Sequence, residues 1–315
     1  ADYSALRDSL DVPLFNRAVQ GQYPPGSTVK PMMGLAGLES GLVTTETTVP
    51  DPGWYRLPGD SRRYRDWILK IRGTGHAPQV ALHMAIVESC DVYFYDLARR
   101  LTIDRMYDYL HPFGLGERTM VDTTSERRGV LPSTRWKREA MAQPWYPGET
   151  LSAGIGQGYV LTTPMQLAVA TSALATRGER RSPRLVRSVD GEPVTAPLLP
   201  PVAAKPEHWD AVHAAMRDVV HGERGSARKI GVDIPYMMAG KTGTAQVIGI
   251  AQNAVYKEEE VAERHRNHGL FIAFAPLDAP TIAVAVLVEN GGGSSAAYPI
   301  AREVIDTWLL GDGTG

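Results

Sequence analysis

The sequence has little of several features that would define its class at once. It contains a single cysteine, Cys90, so no intramolecular disulfide can form and a disulfide-stabilised scaffold is excluded. Its longest apolar runs, such as Ile282–Val288, fall far short of the roughly 20 residues that cross a bilayer. The 33 Lys and Arg residues are offset by 35 Asp and Glu residues, which gives a net charge of −2. Because there is no basic excess, we expect no nucleic-acid partner.

Apolar residues, by contrast, are plentiful. They make up 43% of the 315 residues, and charged residues make up 22%, which are the proportions of a globular protein with a sizeable core. We expect a chain that does not itself cross a membrane, and that is compatible with being the excised outer part of an anchored protein.

Turn residues and hydrophobic periodicity divide the chain into zones. They predict three zones: one rich in Pro and Gly (1–60), one that is mostly helical (79–225), and one of strands closed by a helix (236–310). Within the helical zone we expect loops at 111–134 and 143–160 and an extended connection at 182–206. This order predicts an α+β fold. We expect one domain, 1–315, in which a mainly helical subdomain (36–224) is inserted into a sheet-containing subdomain (1–35 plus 225–315).

Apolar spacing places individual elements within these zones. It predicts helices over 27–38, 164–176, 207–220 and 298–310, and two helices within 80–101 that meet at 89–91. Composition predicts a strand over 237–248 and a hairpin made of 270–275 and 281–288. The charged run 257–266 is expected to be a solvated loop.

The first of three short motifs joins Ser27 to Lys30 at a spacing of three residues. Residues i and i+3 share one face of a helix, so the Lys30 amine can lie beside the Ser27 hydroxyl. A serine hydroxyl becomes a good nucleophile when a nearby base takes its proton, and a lysine can be that base if its pKa falls. In isolation, the pattern is more typical of a helix-capping serine followed by a surface lysine.

The second motif is Ser89-Cys90-Asp91, at the predicted junction of two helices. Ser89 can relay a proton between Lys30 and a leaving group, and Asp91 can accept a hydrogen bond from Lys30 or from a substrate amide. The structural alternative is a plain helix junction.

The third motif, Lys241-Thr242-Gly243-Thr244, lies on the predicted strand. Lys241 would supply a fixed positive charge, suited to a substrate carboxylate or to lowering the pKa of Lys30. Thr242 and Thr244 share one face of a strand, while Gly243 faces the other way and relieves crowding there. The backbone N–H groups of Ser27 and Thr244 are candidate oxyanion donors.

Together, and in this order, the motifs match the signature of serine β-lactamases and penicillin-binding proteins. Further segments extend the similarity over essentially the whole chain: 23–31, 51–54, 63–67, 145–149, 156–159 and 239–246. The sequence therefore resembles the class B penicillin-binding proteins, the monofunctional peptidoglycan D,D-transpeptidases. The resemblance implies the penicillin-recognising transpeptidase fold, an antiparallel sheet flanked by helices.

The resemblance also implies an activity and a setting. Ser27 would attack a donor stem peptide with Lys30 as base, D-Ala would leave through Ser89, and Lys241, Thr242 and Thr244 would bind the donor carboxylate. β-Lactams would acylate Ser27, and no cofactor would be needed for catalysis. The family works on the periplasmic side of the inner membrane, anchored by a membrane helix, with a glycosyltransferase partner in the elongation machinery.

The sequence differs from the family pattern in two respects. Asp91 stands where many relatives have Asn, and a carboxylate cannot donate a hydrogen bond to a substrate carbonyl. The family also has sheet strands ahead of the nucleophile, whereas only 26 residues precede Ser27 here. We therefore expect a sheet with fewer strands than in full-length relatives.

Cys90 belongs to a second set of candidate ligands. With Asp51, Asp66 and His76 it offers one thiolate, one imidazole and two carboxylates, which suit a tetrahedral zinc ion. Some proteins that resemble this one carry such a structural metal. His83 is an alternative ligand, and the structural alternative is a buried cysteine that acts as a small hydrophobic residue.

Two other functions fit the same motifs. A serine β-lactamase shares them and differs in how fast the acyl-enzyme is hydrolysed. A non-catalytic penicillin-sensing module would acylate and then signal. The segments 51–54 and 156–159 favour the transpeptidase.

Overall fold

A computed structural model describes residues 2–119, 122, 125–195, 198–247 and 261–311. Its helices, numbered α1 to α12 in chain order, are Tyr3–Arg7, Arg17–Gln20, Lys30–Glu39, Leu69–Arg72, Leu82–Val87, Asp91–Leu101, Ile103–Leu110, Thr134–Met141, Pro147–Gly154, Pro164–Ala175, Pro206–His221 and Tyr298–Leu310. Its strands, β1 to β11, are Thr48–Pro50, Trp54–Tyr55, Tyr64–Arg65, Gln79–Ala81, Arg180–Arg181, Ser188–Val189, Glu192–Pro193, Leu198–Leu199, Ala239–Ala245, His268–Ala275 and Ile282–Val288. No described helix has both the length and the hydropathy needed to cross a bilayer.

The main sheet has three antiparallel strands in the order β11-β10-β9 within the described residues. The central strand, β10, is a nearly continuous apolar run, as expected for a strand covered on both faces. Phe271 meets the ring of Tyr298 on α12, and Phe274 meets His213 on α11. Because successive side chains alternate between the faces of a strand, these two helices cover opposite faces of the sheet.

One large hydrophobic core joins this sheet to the helices. The long helices α10 and α11 come from the mainly helical stretch of sequence, yet they pack against the strands of the sheet. Helix α10 begins with a capping box in which Thr163 and Gln166 satisfy each other's backbone N–H groups. The division into subdomains at residues 35 and 225 stays a prediction.

Several sequence predictions are confirmed. Helices α5 and α6 meet at residues 88–90, between Val87 and Asp91, and the hairpin is formed by β10 and β11. The predicted helix 27–38 begins as a 3-10 turn, Gly26–Val29, and continues as α3 with Pro31 in its first turn. The predicted strand 237–248 is shorter, Ala239–Ala245, and residue 248 lies outside the described residues. Of the charged run 257–266, residues 257–260 also lie outside them.

The predicted loop at 143–160 is wrong in part, because residues Pro147–Gly154 form helix α9. Pro147 and Gly148 indicate a turn in sequence, but proline is well tolerated in the first turn of a helix. The Glu149 side chain accepts a hydrogen bond from the Tyr146 N–H at 2.8 Å, which caps the helix. The predicted zone 1–60 likewise contains two helices, α1 and α2, ahead of α3.

Candidate active site

Ser27 lies in the 3-10 turn that leads into α3, where the chain makes an unusually close approach to strand β9. Gly26 has a φ of +54°, and a Cβ there would lie 2.4 Å from the Thr244 carbonyl oxygen. The Gly26 N–H donates to the Gly156 carbonyl at 2.9 Å. Among the described residues, the Ser27 hydroxyl has no hydrogen-bond partner. The turn that carries Ser27 therefore packs directly against the strand at Gly26, and the Ser27 hydroxyl is not engaged by another described residue.

Lys30 reaches from the start of α3 to the junction of α5 and α6. Its side chain is fully buried, and its Nζ donates to the Ser89 carbonyl at 2.8 Å and to the Asp91 carboxylate at 2.6 Å. The Ser89 hydroxyl lies 3.3 Å from the same nitrogen. Burial raises the pKa of Asp91 above its usual value, although the nearby Lys30 acts in the opposite direction. The first two motifs thus meet at one buried ion pair.

The Ser89 backbone has a strained conformation, and hydrogen bonds with residues outside the motif hold this segment in place. Ser89 has a φ of +63°, a left-handed conformation that is uncommon for residues other than glycine. The indole N–H of Trp67 donates to the Ser89 carbonyl at 3.1 Å. The Asp66 carboxylate accepts from the backbone N–H groups of Asp91 and Val92, at 2.6 and 3.2 Å, and so caps α6. Sequence reasoning placed Asp66 in a metal site only and missed this second contact.

Strand β9 brings the third motif to the same place. Gly243 faces the turn that carries Ser27, since a Cβ on it would lie 2.7 Å from Thr28 Cγ2 and 3.1 Å from the Pro25 carbonyl. The absence of a side chain does relieve crowding there, as the sequence predicts. The Thr244 carbonyl accepts a hydrogen bond from Gln157 at 2.9 Å, a contact that no motif predicts.

Lys241 is fully buried, and its Nζ donates to the Thr242 carbonyl at 3.1 Å and to the Thr242 hydroxyl at 3.3 Å. Burial, together with the nearby Lys30 charge, holds the pKa of Lys241 well below its usual value. An anionic ligand would favour the protonated form.

The hydroxyl of Ser226 lies 2.8 Å from that of Thr242. Ser226 follows α11 in a Gly-rich turn, and nothing in the sequence singled it out as a site residue. The Ser226 hydroxyl is thus a further hydroxyl group beside that of Thr242 on strand β9.

Asp51, Asp66, His76 and Cys90 form a buried cluster beneath the Lys30–Asp91 pair. Each offers one ligand atom, and these atoms all lie within 4.8 Å of one another. His76 Nε2 lies 3.2 Å from Asp66, and the Cys90 thiol lies 3.5 Å from Asp51. The expected ligand set therefore does come together.

Electrostatics within this cluster suit a cation. Burial raises the pKa of the Cys90 thiol well above its usual value, and the carboxylates of Asp66 and Asp51 raise it further. A metal ion would reverse this effect, because it binds the thiolate. The alternative ligand His83 is instead exposed on α5 and pairs with Asp218 at 3.0 Å, away from the four residues of the cluster.

Comparisons with known proteins agree with this geometry. Residues 2–306 match the penicillin binding protein transpeptidase domain, and the chain belongs to this family. It is 46% identical to the peptidoglycan D,D-transpeptidase MrdA of Acinetobacter baumannii over 314 residues, which are 98% of this chain and 46% of that protein. It is 40% identical to MrdA of Escherichia coli over 316 residues, 99% of this chain and 49% of that protein. The chain thus spans about half the length of these relatives.

Solved structures show the same fold. Pseudomonas aeruginosa PBP2 in complex with WCK 5153 superposes with a TM-score of 0.88 at 46% identity, covering 99% of this chain and 66% of that one. Helicobacter pylori PBP2 in complex with MreC gives a TM-score of 0.84 at 32% identity, covering 98% and 54%. An imipenem acyl-enzyme of penicillin-binding protein A from Mycobacterium tuberculosis gives 0.77 at 28% identity, covering 98% and 64%. The predicted α+β transpeptidase fold and the predicted family are confirmed.

Proposed function

We propose that the chain is the catalytic domain of a peptidoglycan D,D-transpeptidase that forms cross-links through a serine acyl-enzyme. The observation that carries this proposal is the convergence of the three motifs. Lys30 contacts both Ser89 and Asp91, and strand β9 passes directly against the turn that bears Ser27. Family membership and the names of the relatives support the same reaction.

In the first half-reaction, the Ser27 oxygen attacks the carbonyl carbon of the penultimate D-Ala of a donor stem peptide. Lys30 acts as the base that takes the hydroxyl proton, an ester forms, and the peptide bond to the terminal D-Ala breaks. The proton passes through Ser89 to the departing amine, a route supported by the 3.3 Å distance between Lys30 Nζ and Ser89 Oγ. Asp91 holds the Lys30 amine in place.

The remaining motif residues would bind the donor. Lys241, Thr242 and Thr244 would hold its terminal carboxylate, with the lysine protonated once that anion is bound. The backbone N–H groups of Ser27 and Thr244 would stabilise the oxyanion, while Gly243 lets the strand approach the nucleophile. In the second half-reaction, an amine of another stem attacks the ester, a new amide bond forms, and the proton returns to Ser27.

A β-lactam resembles the donor and would acylate Ser27, as the imipenem acyl-enzyme of the mycobacterial relative illustrates for that protein. We expect a long-lived adduct, which distinguishes a transpeptidase from a β-lactamase. The ability to cross-link stem peptides distinguishes a transpeptidase from a sensing module.

The test uses two stem peptides, a donor ending in D-Ala-D-Ala and an acceptor with a free amine. Mass spectrometry should detect a cross-linked dimer and one released D-Ala per dimer, and Ser27→Ala should form neither. Hydrolysed donor without any dimer would contradict the proposal and favour a hydrolase. A stable β-lactam adduct without turnover of either peptide would favour the sensing module.

We also propose the cellular setting that the relatives suggest. The domain would work on the periplasmic side of the inner membrane, with a peptidoglycan glycosyltransferase of the elongation machinery. A PBP2 complex with MreC and a relative in a peptidoglycan synthase complex (TM-score 0.83, 32% identity, covering 99% of this chain and 50% of that one) support partners of this kind.

Finally, we propose that Asp51, Asp66, His76 and Cys90 hold a structural zinc ion. The donor set, its complete burial and the mutual distances fit a small tetrahedral site. The ion would supply a cross-link between the loops before α5 and the residue that precedes α6. Asp66 would then fix the start of α6, and with it Asp91, more firmly.

A further inference from the structure

The loop that follows helix α9 carries a glutamine, Gln157, that lies between the turn of the nucleophile and strand β9. Its side-chain amide donates a hydrogen bond to the Thr244 carbonyl at 2.9 Å. The carbonyl of the preceding residue, Gly156, accepts a hydrogen bond from the Gly26 N–H, also at 2.9 Å. One short loop therefore bonds to both segments that supply the candidate oxyanion donors, the backbone N–H groups of Ser27 and Thr244.

This loop has a well-determined backbone, because it closes onto the end of helix α9. The Gly156 N–H donates to the Ala153 carbonyl at 3.0 Å, and the Gln157 N–H donates to the Ser152 carbonyl at 2.9 Å. Gly156 has a φ of +70°, and a Cβ on it would lie 2.2 Å from the Gly26 carbonyl oxygen, so only glycine permits this approach to the turn. The Gln157 side chain therefore extends from a backbone that is fixed relative to Ser27.

The bond from Gln157 also shows which way the Thr244 backbone faces. Strand β9 is an edge strand of the main sheet within the described residues, and its ladder partner is β10. In an antiparallel strand, the N–H and the C=O of one residue point to the same side. The Thr244 carbonyl points away from β10, since it bonds to Gln157 and lies against Gly26. The Thr244 N–H therefore points to the same open edge, beside the turn that carries Ser27.

We propose that Gln157 is a positioning residue for acylation: by bonding to the Thr244 carbonyl, its side chain holds the Thr244 N–H where it and the Ser27 N–H can donate to one oxyanion. This inference rests on the proposed transpeptidase function. Donors that are held in place before the reaction stabilise the charge that develops in the transition state more than they stabilise the bound ground state. Gln157 acts through Thr244 and takes part in no bond that forms or breaks. We therefore expect it to affect the rate constant of acylation rather than the affinity.

The test measures acylation of the chain by a fluorescent penicillin in stopped flow. The dependence of the rate on penicillin concentration separates the acylation rate constant from the dissociation constant of the non-covalent complex. Gln157→Ala should lower the rate constant about tenfold, the effect of one hydrogen bond, and leave the dissociation constant unchanged. An exponential rate constant does not depend on the fraction of folded enzyme, and thermal melting checks each variant independently.

A second variant, Gln157→Glu, keeps the size of the side chain and makes the hydrogen bond depend on pH. An ionised carboxylate cannot donate to the Thr244 carbonyl, whereas a protonated carboxyl group can. The acylation rate constant of this variant, divided by that of the wild type, should be low at about pH 8 and rise as the pH falls toward about 5. The division cancels the titration of Lys30, Asp91 and Lys241, which the two proteins share. Gln157→Ala should show no such rise.

The matched control is Gln143→Glu, which alters an exposed glutamine ahead of helix α9 and should acylate like the wild type at every pH. An unchanged rate constant in Gln157→Ala, or a loss confined to the dissociation constant, would overturn the inference while leaving acylation of Ser27 intact. A Gln157→Glu variant that does not recover in acid, or a control that is slowed as much, would also overturn it. Failure of the penicillin to acylate the wild type would overturn the proposed function itself, and this inference with it.

Discussion

The Nζ atom of Lys30 lies 2.6 Å from a carboxylate oxygen of Asp91, and both side chains are buried. A buried charge that loses its partner is strongly destabilising. Asp91→Ala should therefore lower the free energy of unfolding by about 3 kcal/mol or more. Asp91→Asn keeps an oxygen that can accept from Lys30 and should cost clearly less. Urea denaturation at neutral pH measures both values, and equal losses for the two variants would contradict a role for the hydrogen bond.

Gly243 sets the distance between strand β9 and the turn of Ser27. In Gly243→Ala the new methyl group would lie 2.7 Å from Thr28 Cγ2, so the strand and the turn must separate. We expect β-lactam acylation to slow at least tenfold and stability to fall by about 1–3 kcal/mol, a usual cost of overpacking.

The control for this variant is Gly293→Ala. The atom nearest to its new methyl group would be Thr244 Oγ1 at 4.0 Å, and Gly293 has an ordinary extended backbone. It should therefore acylate like the wild type. Equal slowing in both variants would show that the contact between Gly243 and Thr28 is not the cause.

Glu289 connects strand β11 to the N-terminal segment. Its carboxylate lies 2.6 Å from the Tyr23 hydroxyl and 2.8 Å from Arg17. Burial alone would raise the pKa of Glu289, but the hydrogen bonds from Tyr23 and Arg17 outweigh it and hold the pKa below its usual value. Because the folded pKa is depressed, this stabilisation is complete above the ordinary glutamate pKa of about 4.3 and is lost as the pH falls below it.

Glu289→Gln should therefore cost about 1 kcal/mol or less at pH 7, since the pair is partly exposed, and the difference from wild type should vanish in acid. Chemical denaturation at several pH values measures this. The control Glu46→Gln changes an exposed glutamate and should have the same free energy of unfolding as the wild type at every pH. A difference that stays constant with pH would refute the ionic origin.

Zinc binding makes a separate prediction. Elemental analysis should find about one zinc ion per chain, and replacement by Co²⁺ should give a thiolate absorption band that Cys90→Ala abolishes. Chelation should lower the melting temperature, because metal bound only to the folded state stabilises it. His83→Ala should leave all three results unchanged. Metal-free protein whose stability is unaffected by Cys90→Ala would remove the proposal.

The spacing of the motifs made much of this site predictable. Ser27 and Lys30 share a helical turn, so their local relationship follows from the sequence alone. The helix junction at Ser89 was equally visible, because its polar residues interrupt an apolar pattern. The four candidate ligands of the metal were also found together, on the strength of their residue types and the resemblance to a known family.

Other contacts depend on tertiary structure and leave no local signal. Ser226 reaches Thr242 only because α11 ends beside β9. Helix α9 was missed because its first residues, Pro147 and Gly148, are typical of turns, whereas its cap depends on Glu149. The reduced pKa of Lys241 arises from burial that sequence position does not reveal.

The most direct test of the account is the mass of the intact protein after a short penicillin pulse and a long washout. We predict one covalent adduct per chain, stable through the washout and mapped by peptide analysis to Ser27. Ser27→Ala should carry none, while Ser40→Ala, which alters a serine at the other end of α3, should label like the wild type. An adduct on any other residue, or full labelling of Ser27→Ala, would contradict the central claim.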